Sequence, residues 1–158
     1  MLNIFTVAFF GHRNIKNTAK IEKILKKLII KLIEENEYVD FLVGRNGEFD
    51  ICVSAIIKHT QEEYNHCNST LILVLPYKTA EYLNNKKSFD EFYGEVEISE
   101  KACETFPKRA IQIRNKEMVD RSDLIICYIE RNEGGAYQAI QYALKQRKTV
   151  INIAEEVM

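Results

Sequence analysis

Glycine is scarce in this chain, with six residues among 158, so each one marks a place where side-chain-free backbone has a purpose. An excess of either charge is missing as well. The 22 Lys and Arg residues against 23 Asp and Glu leave a net charge of −1, so no global field draws the protein onto nucleic acid or an anionic membrane. This balance argues against a nucleic-acid partner unless a local basic patch exists. The four cysteines, Cys52, Cys67, Cys103 and Cys127, show no C-x-x-C spacing, and two of them sit inside apolar periodic segments. They read as reduced structural thiols; no metal site and no cofactor is expected. Long hydrophobic runs are lacking too. The opening MLNIFTVAFFGHR has no basic residues ahead of an apolar run too short to span a bilayer. Neither a signal peptide nor a membrane anchor is indicated, and a cytoplasmic protein is expected. No repeat or low-complexity linker divides the chain, so residues 1–158, 46% hydrophobic, read as one domain with a substantial core.

What is present is an alternation. Ile4 to Phe10 is a continuous apolar run that ends at Gly11, the pattern of a strand buried on both faces. From Thr18 to Glu35, Ile21, Ile24, Leu25, Leu28, Leu32 and Ile33 recur at helical spacing, and the lysines between them fall on the wet face. Tyr38 to Val43 is a second strand, followed by a helix through Phe49, Cys52, Val53, Ile56 and Thr60. Ser69 to Leu75 is a third, closed by Pro76. The interval from Tyr77 to Thr105 reads as a short polar helix around Ala80 to Asn85, then a loop carrying Phe89, Phe92 and Tyr93. Val96 and Ile98 there alternate as in a short edge strand. A helix from Pro107 to Arg121, a strand from Asp123 to Ile129, a helix through Ala136, Ala139, Ile140, Ala143 and Leu144, and a last strand from Thr149 to Ile153 complete the series.

Short apolar strands alternating with crossover-length helices define an α/β protein: a three-layer Rossmann-like fold with a mostly parallel sheet of about five strands. In such a sheet the loops after the strand C-termini gather on one edge, where ligands of open α/β folds bind. Five of the six glycines fall in three of those loops: Gly11 in one, Gly44 and Gly47 in the next, Gly134 and Gly135 in another. A Gly-Gly pair after a strand is in itself only a tight turn, but this clustering favours a ligand site.

Backbone N–H groups at the helix starts from Gly47 to Asp50 and from Gly134 through Ala136 to Tyr137 suit a phosphate, with Arg13, Arg45 and Arg114 as possible forks beside Asn46 and Asn115. Tyr77 or Tyr137 offers a ring on which a base stacks, and Glu48 or Asp50 an acceptor for a ribose hydroxyl. Each has a plainer alternative: Arg45 as a solvated loop residue, Tyr137 as a core aromatic, Asp50 as a partner of the helix dipole. His12, between a glycine and an arginine, is either a hydrogen-bonding loop residue or a catalytic one.

The segments FFGHR, VGRNGEFD, RNKEMVDRSDLII and GGAYQAIQYA, in that order, resemble the SLOG superfamily, the Rossmann-like group that includes DprA/Smf and the Lonely Guy proteins. The GHR opening and the RN-x-x-M-V-D-x-S-D segment look closest to its single-domain YpsA-like branch. The resemblance implies a pocket for a nucleotide or nucleotide-derived small molecule at the strand C-termini, with Gly11, Gly44, Gly47, Arg114, Asn115, Gly134 and Gly135 in it. It also implies a homodimer or higher oligomer. An apparent surplus of apolar surface on Ile29, Ile30 and Ile33 and on Phe89, Phe92 and Tyr93 points to an oligomer as well. Lonely Guy enzymes cleave the N-glycosidic bond of a nucleoside monophosphate and carry P-G-G-x-G-T-x-x-E where this chain has E-G-G-A-Y-Q-A-I-Q. Gln141 thus stands at the place of the motif's carboxylate, which favours a sensing or sequestering module over a hydrolase. In the alternative, an N-glycosidase, Glu48 or Asp50 would supply the missing carboxylate beside Arg114.

Overall fold

The computed structural model describes residues 1–64 and 67–157. Six strands form one sheet: β1 (Ile4–Gly11), β2 (Tyr38–Val43), β3 (Ser69–Leu75), β4 (Glu95–Ile98), β5 (Leu124–Tyr128) and β6 (Thr149–Asn152). Their order is β4-β3-β2-β1-β5-β6, and every pairing is parallel. The helices are α1 (Thr18–Glu35), α2 (Glu48–Tyr64), α3 (Ala80–Asn84), α4 (Lys86–Phe92), α5 (Pro107–Asp120), α6 (Gly135–Lys145) and the single turn α7 (Ala154–Val157).

The sheet is covered on both faces, and the twofold side-chain period of the strands divides the core in two. Val7 and Phe9 of β1 point to the layer holding α1 and α2, where Ile21, Leu25, Ile29, Val53 and Ile57 meet them. Ala8 and Phe10, the alternate residues, face Met118 and Val119 of α5 and Ala139, Ile140 and Ala143 of α6. The chain builds outward from β1 through β2, β3 and β4, then returns to add β5 on the other side of β1. This reversal opens a crevice at the C-terminal ends of β1 and β5, the point at which ligands of doubly wound sheets are held.

The interval between β3 and α5 holds the departures from the sequence reading. The Val96–Ile98 segment is the short edge strand that its alternation suggests: β4 pairs with β3, Val96 opposite Leu73, and it brings the count to six strands rather than about five. Phe89 and Phe92 belong not to a loop but to α4, and Tyr93 caps its end. This helix forms because Phe89 packs between Tyr82 and Tyr93, at centroid distances of 5.7 and 5.9 Å, while Lys86 pairs with Asp90 one turn on at 2.6 Å. Most of the apolar surplus from which an oligomer was expected is covered within the chain, with Ile30 half-buried. Ile29, Ile33, Phe89 and Tyr93 are all buried within the chain, and Phe92 alone of the three aromatics stays exposed. Exposed lysines do line the outer face of α1, as its periodicity requires. Among the described residues no helix is long and apolar enough to cross a membrane.

Candidate functional site

The crevice between β1 and β5 opens into a cavity of about 460 Å³. Its floor is the end of β1 and Gly44; one wall is the inner face of α5, with Ile111, Arg114, Asn115 and Met118; the other is the run from Arg131 to Ala136 that leads into α6. The spacing 111, 114, 115, 118 is one helical stripe, which explains why these four arrive together.

Arg114 is 1% exposed yet lines the cavity. Its Nε donates to Asn115 Oδ1 at 2.9 Å and its Nη1 to the Val74 carbonyl at 2.7 Å, so two neutral oxygens fix the plane of the guanidinium. No carboxylate lies within ion-pair distance of it among the described residues, whose pairs all involve other side chains. Burial pulls its pKa down and the charge of Asp50 opposes that shift, but an arginine keeps its proton. The result is a buried cation that no carboxylate contacts directly, with the charge of Asp50 acting on it only from a distance, a costly arrangement unless something else helps to neutralise it.

Asp50 lines the same cavity. Its Oδ2 accepts the Asn46 N–H at 2.9 Å, and burial raises its pKa against the lowering effects of that hydrogen bond and of Arg114. Gly44 lets the two groups coexist there. A Cβ on Gly44 would stand 3.2 Å from Arg114 Nη1 and 3.3 Å from Asp50 Oδ2.

The remaining glycines divide sharply. A Cβ on Gly11 would fall 2.3 Å from the Phe49 ring, and one on Gly47 2.4 Å from Arg13 Cα, so both positions are glycine because two parts of this chain meet there. Gly134 has φ of +95°, a conformation that needs glycine. Gly135 has neither reason. Its φ is not positive, and a Cβ there would meet nothing within 4 Å. Directly behind this open space the first-turn N–H groups of α6 point outward with no side-chain cap and no acidic residue nearby in the turn.

His12 is buried, and its Nε2 accepts the backbone N–H groups of Glu130 at 2.9 Å and Arg131 at 3.2 Å. Of the two roles open to it in the sequence, the geometry gives it the hydrogen-bonding one: it ties the loop after β5 to the end of β1. Burial and the neighbouring Arg131 lower its pKa, which keeps the imidazole neutral and the acceptor lone pair available.

Several predicted residues lie elsewhere. Arg45 is engaged outside the cavity, with Glu81 at 2.8 Å, the Tyr93 hydroxyl at 3.1 Å and the Phe89 ring at 4.8 Å from its guanidinium carbon. Glu48 accepts the Ile15 N–H at 3.0 Å and joins two loops. Gly47, Tyr77 and Tyr137 do not line the cavity, and Gln141 is exposed and outside it. A carboxylate at position 141 would therefore face solvent. The cavity does bring together Gly11, His12, Arg13, Gly44, Asn46, Asp50, Arg114, Asn115, Gly134, Gly135 and Ala136. Phe9, Phe10, Asn14, Ile111, Met118, Arg131 and Glu133 complete it without having been singled out. For Ile111 and Met118 the signal was available, one turn on either side of the Arg114–Asn115 pair.

No protein-family profile and no curated protein sequence matches this chain. Solved structures do. DNA processing protein A (DprA) from Helicobacter pylori, solved for its single-stranded DNA binding mode, superimposes with a TM-score of 0.64 at 18% identity over 92% of this chain and 63% of that one. DprA from Streptococcus pneumoniae gives 0.67 at 16% identity over 93% of this chain and 49% of the other. The protein TM1055 gives 0.61 at 14% identity over 97% and 79%. The chain thus shares the fold of DprA, one of the proteins its motifs resemble. It spans about half to two thirds of the length of the two DprA chains.

Proposed function

We propose that this protein is a SLOG-type module that binds a nucleotide or nucleotide-derived anion in the cavity at the β1–β5 crevice, as a sensor or sequestering protein. The observation that carries this is the pairing of a buried guanidinium in no direct ion pair with an uncapped helix start, on opposite walls of one cavity. Both ask for negative charge, and among the described residues no carboxylate bonds to either, although Asp50 and Glu133 line the same cavity. A phosphate over Gly135 satisfies the N–H groups of α6, and Arg114 and Asn115 approach it or its sugar from α5. The test is mass spectrometry of the denatured protein after mild purification, together with calorimetry against mono-, di- and cyclic nucleotides. A nucleotide carried through, or micromolar binding, supports the reading; a site that takes no anion at all overturns it.

The N-glycosidase alternative retains one specific support, that Asp50 is a carboxyl inside the cavity while Glu48 is not. Oxocarbenium-like cleavage needs a nearby charge or base, and removing such a group costs on the order of 10²–10⁴ in rate. Incubation with nucleoside monophosphates is expected to release little base. Ready release that Asp50→Asn abolishes would establish the enzyme instead.

The charge balance that argued against nucleic acid is a weak ground beside a structural neighbour that binds single-stranded DNA. Strand binding requires only a local funnel, and Arg13 and Arg131 are exposed at the rim of the cavity. Oligonucleotides therefore belong in the calorimetric panel.

A further inference from the structure

A second, smaller cavity of about 240 Å³ lies between α5 and α6. Gln112, Lys116, Gln138 and Tyr142 line it, and it shares Asn115 and Gly135 with the main cavity. By itself it is small for a self-sufficient ligand site, for which about 300–1,000 Å³ is usual. Its position gives it meaning. Gly135 is the one loop glycine that neither chain packing nor backbone conformation explains, and it stands in the wall between the two spaces.

A phosphate held at the first turn of α6 therefore has a chamber on either side. A terminal phosphate would leave one of these empty, whereas a phosphate linking two groups leaves neither. The side chains of the smaller space fit a heterocycle or sugar: amides on Gln112 and Gln138, and the ring of Tyr142, whose hydroxyl donates to Asp120 at 2.7 Å and whose face carries Lys116 Nζ 5.4 Å from its centroid. Amides donate and accept in the pattern of a base edge, and an anchored aromatic edge gives such a group a wall.

We infer that the ligand consists of two nucleoside-like units joined through phosphate, one seated in the main cavity, the other in the annex between α5 and α6, with the phosphate link crossing Gly135. This rests on the anion-binding reading of the cavity and specifies its substrate class. A free dinucleotide and a nucleic-acid strand share this chemistry.

The experiment is calorimetry on the full chain with the ribonucleoside 5′-monophosphates, the symmetrical dinucleoside 5′,5′-diphosphates carrying the same bases, and the oligonucleotides dA10 and dT10. A dinucleoside diphosphate should bind at least about tenfold more tightly than its own monophosphate. Gln138→Trp and Gln112→Trp, which fill the annex from different helices, should each remove that gain and leave monophosphate affinity unchanged. The same gain and loss seen only with an oligonucleotide identifies a strand as the source of the linked units. Equal affinity for the two ligand types, or an equal loss for both in the variants, overturns the inference while leaving the main cavity standing. Binding of none of these ligands overturns both.

Discussion

Two helices of this protein begin beside a glycine at the same edge of the sheet, and they meet their own dipoles in opposite ways. α2, which follows Gly47, brings two carboxylates into its first turn: Glu48 reaches the Ile15 N–H and Asp50 folds back onto the Asn46 N–H. α6, which starts at Gly134 and Gly135, brings none, and no side chain caps it. Glycine at a helix start is thus no evidence of an anion site by itself. What favours one is a positive end that the chain leaves open, and here the opening shares its cavity with a buried arginine in no direct ion pair.

The largest expected effect comes from filling the open end. Gly135→Val should abolish nucleotide binding, a loss of at least about a hundredfold, while the melting temperature stays near that of the parent, because a Cβ there meets nothing within 4 Å and φ is not positive. Gly134→Val is the contrast. At φ +95° it should cost about 1–3 kcal/mol of stability, visible in a denaturant titration. A Gly135 variant that binds normally would break the comparison between the two helix starts.

Arg114→Ala should weaken nucleotide binding by about 1.5–3 kcal/mol by calorimetry, the worth of a charge-assisted hydrogen bond. Arg45→Ala should leave binding unchanged, since its guanidinium serves Glu81 and Tyr93.

A smaller effect comes from making α6 resemble α2. Ala136→Asp places a carboxylate in the uncapped first turn and should stabilise the free protein by about 0.3–1 kcal/mol, read as a raised urea midpoint, while it weakens the binding of every anionic ligand. A variant that gains stability without losing affinity would show that the ligand does not use this helix end.

The smallest effect is on pH. The pKa of His12 is lowered in the fold, so the unfolded chain takes up a proton first on acidification. Its contribution to stability is present above the ordinary value of 6.5 and is lost as pH falls from there through the lowered folded pKa, where protonation removes the acceptor for Glu130 and Arg131. Stability measured across that window should fall less in His12→Gln, whose amide oxygen still accepts but does not titrate.

Much of the architecture was legible because hydrophobic periodicity reports burial directly. The run Ile4 to Phe10 is apolar without alternation because β1 has a helix layer on each face. The interval around Phe89 misled for the converse reason: three aromatics among polar residues carry no clear period, and only the contacts with Tyr82 and with Arg45 make them a helix and a core. At the site, composition identified the loops but not their division of labour. Gly11, Gly47, Gly134 and Gly135 are the same letter in the sequence; a phenyl ring, a backbone, a positive φ and an empty space distinguish them. Gln141 shows the limit of motif spacing. Matching a family pattern one helical turn beyond Tyr137 places it on the exposed side of α6.

The order in which β1 finds its neighbours has a consequence for how the protein is made. During synthesis β1 acquires β2 early, but its other edge waits for residues 124–128, and the latch from His12 to Glu130 spans 118 positions. Until then a central strand of the sheet has a bare edge, open to pairing with another nascent chain. The cavity likewise is incomplete until α6 begins, since its floor comes from the end of β1 and Gly44 and its walls from residues 111–118 and 131–136. Truncation before α6 therefore yields a protein without a site and with a sticky edge, rather than a weaker version of the whole.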